Sequence, residues 1–282
     1  MIEIDLGAIA SGLVEIEPGL WASRAEQEVA FDPSRSQRWF EAEDDSVWFS
    51  HRNQVIVGVV AEYPPSGPLF DIGGGNGFVA RGLADMGFPT VVVEPVPAAA
   101  RNALARSLRP VVNATFDAVD FASGSVPAVA MFDVLEHIDD DVGYLGGLLS
   151  RLAPGGRVYL TVPAYGWLWS DHDVAAGHRR RYTGRHLKRV VREAGLELDY
   201  LSYFFGVLPL PVFLGRTLPS LGGRRRRDRA VWDATTGSRS SGRVLRRVLA
   251  REQRRLPDHR GRVGTSIIAV ARAPGRPVSS GP

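Results

Sequence analysis

The sequence predicts an α/β fold with a doubly wound, mainly parallel sheet. Short apolar runs alternate with segments of helical pattern between residues 69 and 205, which is typical of parallel strands joined by covering helices. A further apolar run, Thr265–Ala271, follows a long basic segment and predicts a last strand. We therefore expect an N-terminal helical extension, the sheet, and a basic insertion before the last strand.

The predicted elements follow one another in a regular order. Strands are predicted at 69–72, 90–93, 110–113, 128–132, 157–162 and 196–205, and helices at 78–86, 97–107, 139–152 and 183–194. Thr183 is a predicted N-cap and Gly195 a predicted C-cap of the last of these helices. The predicted domains are an extension at 1–62, a main domain at 63–272 with an insertion at about 206–262, and a disordered tail at 273–282.

A glycine-dense turn follows the first predicted strand. Asp71 lies at the end of that strand, the turn runs to Gly77, and a helix is predicted from Phe78. Glycine lets a ligand approach the backbone closely, because it has no Cβ. Glu94 follows the second strand, 23 residues after Asp71, where a carboxylate can accept hydrogen bonds from two ribose hydroxyls. Together these features predict a nucleoside site.

Two classes of nucleoside fit the glycine spacing. Residues 75–80 match the template Gly-x-Gly-x-x-Ala, so an NAD(P)-dependent oxidoreductase is one hypothesis. Asp71 favours a different ligand, because a carboxylate before the loop repels a pyrophosphate and attracts an ammonium group. S-adenosyl-L-methionine (SAM) carries an ammonium group and a sulfonium, and it has no phosphate.

The pattern Asp-x-Gly-x-Gly-x-Gly, from Asp71 to Gly77, resembles motif I of class I SAM-dependent methyltransferases. The segments Leu-Glu-His-Ile at 135–138 and Leu-x-Pro-Gly-Gly at 152–156 resemble later motifs of that family, most closely in its small-molecule, ubiquinone-biosynthesis-like branch. The resemblance covers about residues 68–205 and the last strand. It implies a Rossmann-like methyltransferase fold with seven strands, the last one antiparallel, and SAM as the cofactor.

The resemblance also implies roles for individual residues around the cofactor. Asp71 would anchor the loop and the methionine ammonium, and Glu94 would bind the ribose. Thr115 or Asp117 would contact the adenine amino group, and Phe116 would stack on the ring. The implied cofactor-binding residues are Asp71, Gly73, Gly75, Gly77, Glu94, Pro95, Thr115, Phe116, Phe132, Asp133 and His137.

Methyl transfer to a small-molecule or lipid-like acceptor is the activity that the resemblance implies. The enzyme must align the acceptor behind the S–CH3 bond and exclude water. A hydroxyl or ammonium acceptor also requires a base, for which histidines near the strand carboxyl ends are natural candidates. The predicted catalytic residues are His172, His178, His137 and Tyr182. A structural role beside the methionine end of the cofactor is the alternative for His137.

The acceptor site is predicted from the polar loop at 165–182, which follows the fifth strand. Ligands of open α/β sheets bind beyond the strand carboxyl ends, and this loop combines two tryptophans with many polar side chains. Segments 48–52 and 204–214 complete the predicted site. Its predicted substrate-binding residues are Trp48, His51, Arg52, Tyr165, Trp169, Asp171, Arg181 and Phe205. The alternative is a surface loop held by internal ion pairs.

No metal site is predicted. His172, Asp173 and His178 could supply nitrogen and oxygen ligands, but they lack a dedicated ligand spacing. The absence of cysteine excludes disulfides, thiolate zinc sites and cysteine nucleophiles. The sequence has no uncharged apolar run of about 18 residues, and its acidic N-terminus does not match a signal peptide, so a cytoplasmic protein is expected.

Basic charge is concentrated in residues 222–262, where 14 arginines against 4 acidic residues give a net charge of +10, compared with +3 for the whole chain. Such a segment is most simply a solvated insertion, but it can also meet nucleic acid or an anionic membrane. An RNA-binding protein or RNA methyltransferase is therefore a second hypothesis, disfavoured because Trp232 is the segment's one aromatic residue for base stacking. The apolar residues 206–215 indicate a peripheral membrane contact, an acceptor cover or a lid on the core.

Overall fold

The computed structural model describes residues 4–24, 39–221, 241–256 and 258–275, and for residues 241–244 it describes the backbone alone. The described strands are β1 (Ala10–Ser11), β2 (Leu13–Glu17), β3 (Leu20–Ser23), β4 (Leu69–Ile72), β5 (Thr90–Val93), β6 (Val111–Asn113), β7 (Asp120–Phe121), β8 (Val126–Phe132), β9 (Leu152–Pro163), β10 (Glu197–Phe204) and β11 (Ser266–Arg272). Nine of them form one sheet in the order β10-β11-β9-β8-β4-β5-β6-β3-β2.

The sheet is mainly parallel, as the sequence predicts. The parallel pairs are β3 with β6, β6 with β5, β5 with β4, β4 with β8, and β8 with β9. The last strand, β11, is antiparallel to both β9 and β10, which confirms the expected reversal at this edge. Every residue of β4 and β5 is buried, because helices cover both faces of the sheet at its centre.

The N-terminal extension contains the expected helix at Val47–Glu62 and also strands that were not expected. It contributes the antiparallel pair β2 and β3, and β3 continues the sheet by pairing with β6, where Leu20 lies opposite Val111. Without this pair, β6 would expose a row of unpaired backbone groups at the sheet edge. The sheet therefore has two strands beyond the seven that were expected. The domain boundaries at 62 and 272 stay a prediction.

The described helices connect the strands in the predicted alternation. They are α1 (Val47–Glu62), α2 (Phe78–Asp85), α3 (Pro97–Ala105), α4 (Asp141–Leu149), α5 (Asp171–Ala176), α6 (Gly184–Glu193), α7 (Pro209–Val212), α8 (Leu218–Leu221) and α9 (Ser241–Arg255). A π-helical segment, Phe213–Thr217, joins α7 to α8. The Thr183 hydroxyl accepts a hydrogen bond from the His186 amide, so Thr183 is the N-cap of α6. Gly195 follows the C-cap residue, Ala194, with a φ of 83°.

Helix α1 begins at Val47 and includes the predicted acceptor-site residues 48–52. Its N-cap is Ser46, whose hydroxyl accepts a hydrogen bond from the Phe49 amide, so residues 48–52 lie on the helix and not before it. The buried side chains of Val55 and Ile56 pack in one cluster with Leu249 of α9 and Ile268 of β11. Helix α1 is thereby fixed against the sheet, with its N-terminal half at the carboxyl edge of the strands.

Part of the basic insertion and of the tail lies outside the described residues. This applies to residues 222–240, which include Arg224–Arg227 and Trp232, and to residues 276–282. Within the described ranges, no helix combines the length and the apolar character needed to span a lipid bilayer.

Candidate functional site

The glycine loop connects β4 to α2 at the carboxyl edge of the sheet. Gly75 and Gly77 have φ values of 55° and 75°, in the left-handed region that favours glycine. A Cβ at Gly77 would lie 2.5 Å from Leu108 and 2.9 Å from Ala103 of α3. The packing of the loop against α3 and Leu108 therefore excludes any side chain at this position. A Cβ at Gly75 would meet no atom within 4 Å, so the backbone of this residue faces open space where a ligand can approach.

We expect Gly77→Ala to destabilise the protein by about 2 kcal/mol more than Gly87→Ala, because overpacking costs about 1–3 kcal/mol in addition to left-handed strain. Gly87 is the matched control: its φ is 87°, and a Cβ there would meet no atom within 4 Å. Urea denaturation followed by circular dichroism measures both variants. Equal losses would show that the loop can move away from Leu108.

Two buried carboxylates flank the glycine loop. Both oxygens of Asp71 are buried and have no hydrogen-bond partner among the residues that the structure describes. Burial raises the pKa of Asp71 to about 7, with Arg52 lowering it and Glu94 raising it further. Glu94 accepts hydrogen bonds from the backbone amides of Gly75 and Val96, each at 2.8 Å. Burial also raises the pKa of Glu94, against the effect of these two amides. Glu94 therefore holds the loop in place, whereas the Asp71 carboxylate is left for a ligand.

The residues expected around an adenine ring lie at the ends of β5 and β6. Pro95 is half-buried, and its carbonyl accepts a hydrogen bond from the Asn113 side chain. The Thr115 hydroxyl accepts from the Ala118 amide and caps a short 3-10 turn. Asp117 pairs with Arg151 at 2.9 Å. The prediction that Phe116 stacks on the ring is wrong, because Phe116 is buried in the core and stacked on Phe121.

Helix α1 reaches the carboxyl ends of β8 and β9 through Arg52. The Arg52 guanidinium donates to the Asp133 carboxylate at 2.7 Å, and the Thr161 hydroxyl donates to the same carboxylate at 3.0 Å. Asp133 has a φ of 59°, which is uncommon for a residue other than glycine, and it directly follows Phe132 at the end of β8. Arg52 and Asp133 were assigned to substrate and cofactor separately, and the structure joins them as one ion pair in which Arg52 is buried and Asp133 half-buried.

Three further residues predicted at the acceptor mouth also meet. Trp48 stacks on Phe205 with ring centroids 5.6 Å apart, and His51 lies edge-on to Phe205 at 5.0 Å. His51 is buried and bonded to Glu252 of α9 at 2.8 Å. Phe205 was predicted to bind the substrate, but its side chain is fully buried. Sequence analysis missed Glu252, which also accepts from the amides of Phe205 and Gly206.

The loop after β9 is organised around Asp173. This fully buried residue caps its own helix α5 by accepting from the Ser170 amide, and it accepts from Arg181 at 2.7 and 3.0 Å and from His178 at 2.8 Å. Burial by itself raises the pKa of Asp173, but the hydrogen bonds from His178 and Arg181 outweigh it and lower the pKa below its ordinary range. The Arg181 side chain is only 6% exposed, so it serves the loop and does not face a substrate.

Four other predicted residues of this loop differ in accessibility. The catalytic assignment of Tyr182 is wrong, because its side chain is fully buried and its hydroxyl donates to Asp141 at 2.8 Å. Tyr165 stacks between Trp167 and Tyr203, at 5.6 and 5.2 Å. Trp169 is half-buried. Asp171 is exposed, and its amide donates to the Ser220 hydroxyl.

Two of the predicted catalytic histidines come together, 41 residues apart in sequence. The rings of His137 and His178 lie 5.0 Å apart at 77°, and Glu136 lies beneath them with His178 Nε2 3.9 Å from its Oε1. Burial raises the pKa of Glu136 well above its ordinary value, and Asp133 raises it further. His172 is half-buried on α5 beside Asp173. Sequence analysis gave Glu136 no role, although the Leu-Glu-His segment was noted.

The geometry defines a class of protein before any comparison. Seven strands in the order β6-β5-β4-β8-β9-β11-β10, a glycine loop after β4 and an acid after β5 describe a nucleoside-binding sheet of the methyltransferase type. A family model described as a methyltransferase domain matches residues 48–201, which is more than half of the chain. The chain therefore belongs to this family of class I SAM-dependent methyltransferase domains.

Individual relatives agree with the family. The chain is 32% identical over 152 residues to an uncharacterized methyltransferase of Mycobacterium leprae (51% of this chain, 55% of the relative). It is 26% identical over 134 residues to a ubiquinone biosynthesis O-methyltransferase of Xanthomonas axonopodis pv. citri (45% and 56%). The chain thus spans about half the length of the curated relatives it matches. A chain in the solved complex with the Haloferax volcanii Trm112 methyltransferase activator has the same fold, with TM-score 0.54, 17% identity, and coverage of 87% and 95%.

The residues present fit SAM, the cofactor of this family. The partnerless Asp71 carboxylate suits an ammonium group, and the open side of Gly75 lies directly beside the Glu94 carboxylate, which suits a ribose diol. These features, with the family, decide between the two nucleoside hypotheses in favour of SAM over NAD(P).

Proposed function

We propose that this protein transfers a methyl group from SAM to a small, apolar or lipid-like acceptor that carries a nucleophilic oxygen or nitrogen. The observation that carries the proposal is the buried Asp71 carboxylate without a hydrogen-bond partner beside the glycine loop of a methyltransferase domain. Leaving a buried carboxylate unpaired is costly, so a cationic ligand group is the natural partner.

The cofactor side of the mechanism follows from Asp71, Gly75 and Glu94. When bound, SAM supplies an electrophilic methyl group next to a positively charged sulfur. Asp71 attracts the ammonium group, and Glu94 accepts hydrogen bonds from the ribose while keeping the Gly75 amide in place. Arg52 pairs with Asp133 and holds α1 over the carboxyl ends of β8 and β9, which helps to exclude water from the reacting atoms.

The acceptor side is supported by three segments that contact one another. Trp48 packs on Phe205, Trp167 packs on Phe213, and the Thr217 hydroxyl donates to the Leu168 carbonyl, so 48–52, 204–217 and the 165–182 loop form one rim. The similarity to a ubiquinone biosynthesis O-methyltransferase supports an apolar acceptor. On this rim, His137 and His178 are the candidates to accept the acceptor's proton, with His172 as a third.

An apolar ridge next to the rim supports contact with an anionic membrane as the source of such an acceptor. Four leucines on the continuous segment 209–221 are between 51% and 75% exposed and recur at helical spacing: Leu210, Leu214, Leu218 and Leu221. The arginine-rich residues 222–262 follow directly in sequence. Cosedimentation with anionic vesicles checks this proposal, and Leu214→Asp with Leu218→Asp should abolish it.

Calorimetry with SAM and with NAD tests the cofactor, and labelled SAM tests the acceptor. We expect SAM to bind and NAD not to bind. We expect label to enter hydroxylated or aminated apolar compounds and not RNA. Transfer to RNA, with affinity for RNA that falls steeply with salt, would support the nucleic-acid hypothesis based on residues 222–262. Binding of NAD without any response to SAM would reject the proposal altogether.

SAM affinity should rise with pH, because Asp71 must be ionised to attract the ammonium group. With its pKa at about 7, we expect binding to be about tenfold weaker at pH 6 than at pH 7.5. The free energy of unfolding depends on pH in the opposite direction. The folded chain keeps a proton on Asp71 up to pH about 7, whereas the unfolded chain loses it near the ordinary pKa of 3.8. The contribution of Asp71 to stability therefore decreases as the pH rises from about 4 to 7.

Calorimetry across this pH range measures the effect in wild type, Asp71→Asn and Asp85→Asn. Asp71→Asn should bind SAM weakly and with little pH dependence. Asp85 is the control, because it is 54% exposed at the end of α2 and pairs with Arg81. A wild-type affinity that stays constant from pH 6 to 7.5 would contradict the role of Asp71.

A further inference from the structure

We propose that Glu136, His137 and His178 form a binding site for a divalent transition-metal ion such as Zn²⁺ or Mn²⁺. One potential ligand atom from each residue lies within 4.8 Å of the others. Two histidines and one carboxylate are a donor set that suits these ions, and a three-ligand site leaves a position open for water or an oxygen of a substrate.

The Glu136 carboxylate is the strongest observation. Glu136 is fully buried, and within the described part of the chain neither of its oxygens has a hydrogen-bond partner. A native structure rarely leaves such a group unsatisfied, so it indicates an absent positive ligand. The cationic side chains nearest to it, Arg52 and Arg181, are already committed to Asp133 and Asp173. The basic group left to face the Glu136 carboxyl is therefore His178, whose Nε2 lies 3.9 Å from Oε1.

The two histidines are held with their metal-binding nitrogens available. His178 Nδ1 lies 2.8 Å from the ionised Asp173 carboxylate, and His137 Nδ1 lies 3.3 Å from the Gly177 carbonyl oxygen. Both partners can only accept, which places the proton on Nδ1 and leaves an Nε2 lone pair on each ring. A carboxylate or carbonyl on the far nitrogen is the arrangement that orients metal-binding histidines in proteins.

The spacing is compatible with one ion after a small adjustment. Ligands at about 2.1 Å from an ion lie roughly 3.0–3.5 Å from one another. His178 Nε2 and Glu136 Oε1 are 3.9 Å apart, so modest rotation of the rings closes the site. His137 is exposed, which provides an entry path from the carboxyl edge of the sheet.

The position of the site gives it a chemical use, and this part of the inference rests on the proposed function. Residues 135–137 follow β8 and Asp133, on the same sheet edge as the glycine loop. A cation there can bind an acceptor oxygen and lower its pKa. Because the ion would occupy Nε2 of His137 and His178, the O–H proton would leave to solvent. The oxygen would then attack the methyl carbon, and the S–CH3 bond would break with its electron pair going to sulfur. Binding of the ion itself requires neither SAM nor an acceptor.

The test uses the full chain after dialysis against a chelator. Calorimetry with ZnCl2, MnCl2 and MgCl2 should show one equivalent of Zn²⁺ or Mn²⁺ and much weaker Mg²⁺. Glu136→Gln and His178→Ala should weaken binding at least 100-fold. His259→Ala is the matched control, because it removes an exposed histidine outside the cluster and should leave the affinity unchanged.

A thermal measurement separates a metal site from a purely structural cluster. Glu136→Gln should raise the melting temperature of the metal-free protein, since it removes a buried carboxyl group whose ionised form is unfavourable there. It should also remove the increase that metal causes in wild type. Because His137 is exposed, the His137→Ala variant should fold normally. Its affinity for the metal ion should be at least tenfold lower than that of wild type. The metal-site proposal would be overturned if the wild-type protein bound no ion, or if the variants bound metal as tightly as the control does. Unchanged SAM affinity in Glu136→Gln would leave the proposed methyltransferase function intact in either case.

Discussion

Replacing Asp173 by alanine is expected to lower the free energy of unfolding by about 3–5 kcal/mol, the usual effect of removing one partner of a buried ion pair. Asp173 is fully buried, and Arg181, whose side chain is 6% exposed, donates two hydrogen bonds to it. The variant leaves this guanidinium buried without its carboxylate and removes the cap of α5. Urea denaturation at pH 7 measures the loss.

The control for Asp173 is Asp139→Ala, which removes a carboxylate that is 80% exposed and pairs with Arg179 at 3.3 Å. Its expected loss is under about 0.5 kcal/mol, because exposed pairs contribute little. Asp173 has a lowered pKa in the folded state, so its stabilising effect is full above the unfolded pKa of about 4 and is lost on acidification. The difference between wild type and Asp173→Ala should therefore shrink at low pH. A loss at pH 7 no larger than that of the control would show that the loop does not depend on Asp173.

The cofactor side could be predicted from sequence because its determinants are local. Asp71, the glycines and Phe78 are consecutive in a strand, a turn and a helix, and the parallel register of β4 with β5 brings Glu94 to the same edge. A strand that ends in an acid, followed by a turn that only glycine fits, restricts the chain path strongly. The position of the Glu94 carboxylate at the Gly75 amide then follows from topology.

The acceptor side could be predicted only in part, because its residues are decided by distant partners. Tyr182 and Phe116 lie in polar or loop-like segments, but Asp141 and Phe121 bury them in the core. The predicted acceptor site included both Trp48 and Phe205, whose rings stack on each other in the structure. Glu252, however, is 201 residues from His51, and no local pattern indicates that the two pair.

The same reason explains why Glu136 was overlooked. In sequence it is one acid in a short motif, beside a histidine that was assigned to the cofactor. Only the fold brings His178 to it, through the turn at Gly177 and the fixed position of Asp173. Whether an acidic side chain is buried depends on the tertiary structure, so the local sequence pattern around Glu136 does not indicate its burial.

Replacing Glu94 by alanine is expected to weaken SAM binding about 100-fold, which corresponds to about 2.7 kcal/mol. The variant removes the proposed ribose acceptor and also leaves the Gly75 and Val96 amides without the carboxylate that holds them. Glu94→Gln keeps one acceptor oxygen and should lose less. Calorimetry measures each variant, and Glu193→Ala is the control, because Glu193 is 55% exposed at the end of α6 and far along the chain from the loop.

Adenosine separates the role of Glu94 from that of Asp71. It carries the ribose hydroxyls of SAM but no ammonium group. Glu94→Ala should therefore weaken adenosine and SAM by similar factors, whereas Asp71→Asn should weaken SAM and leave adenosine almost unchanged. If Glu94→Ala binds adenosine within threefold of wild type, Glu94 does not contact the ribose and serves only the loop. If Asp71→Asn weakens both ligands equally, Asp71 maintains the loop. The ammonium group then requires another partner among the described carboxylates at this edge of the sheet, such as Asp133 at the end of β8.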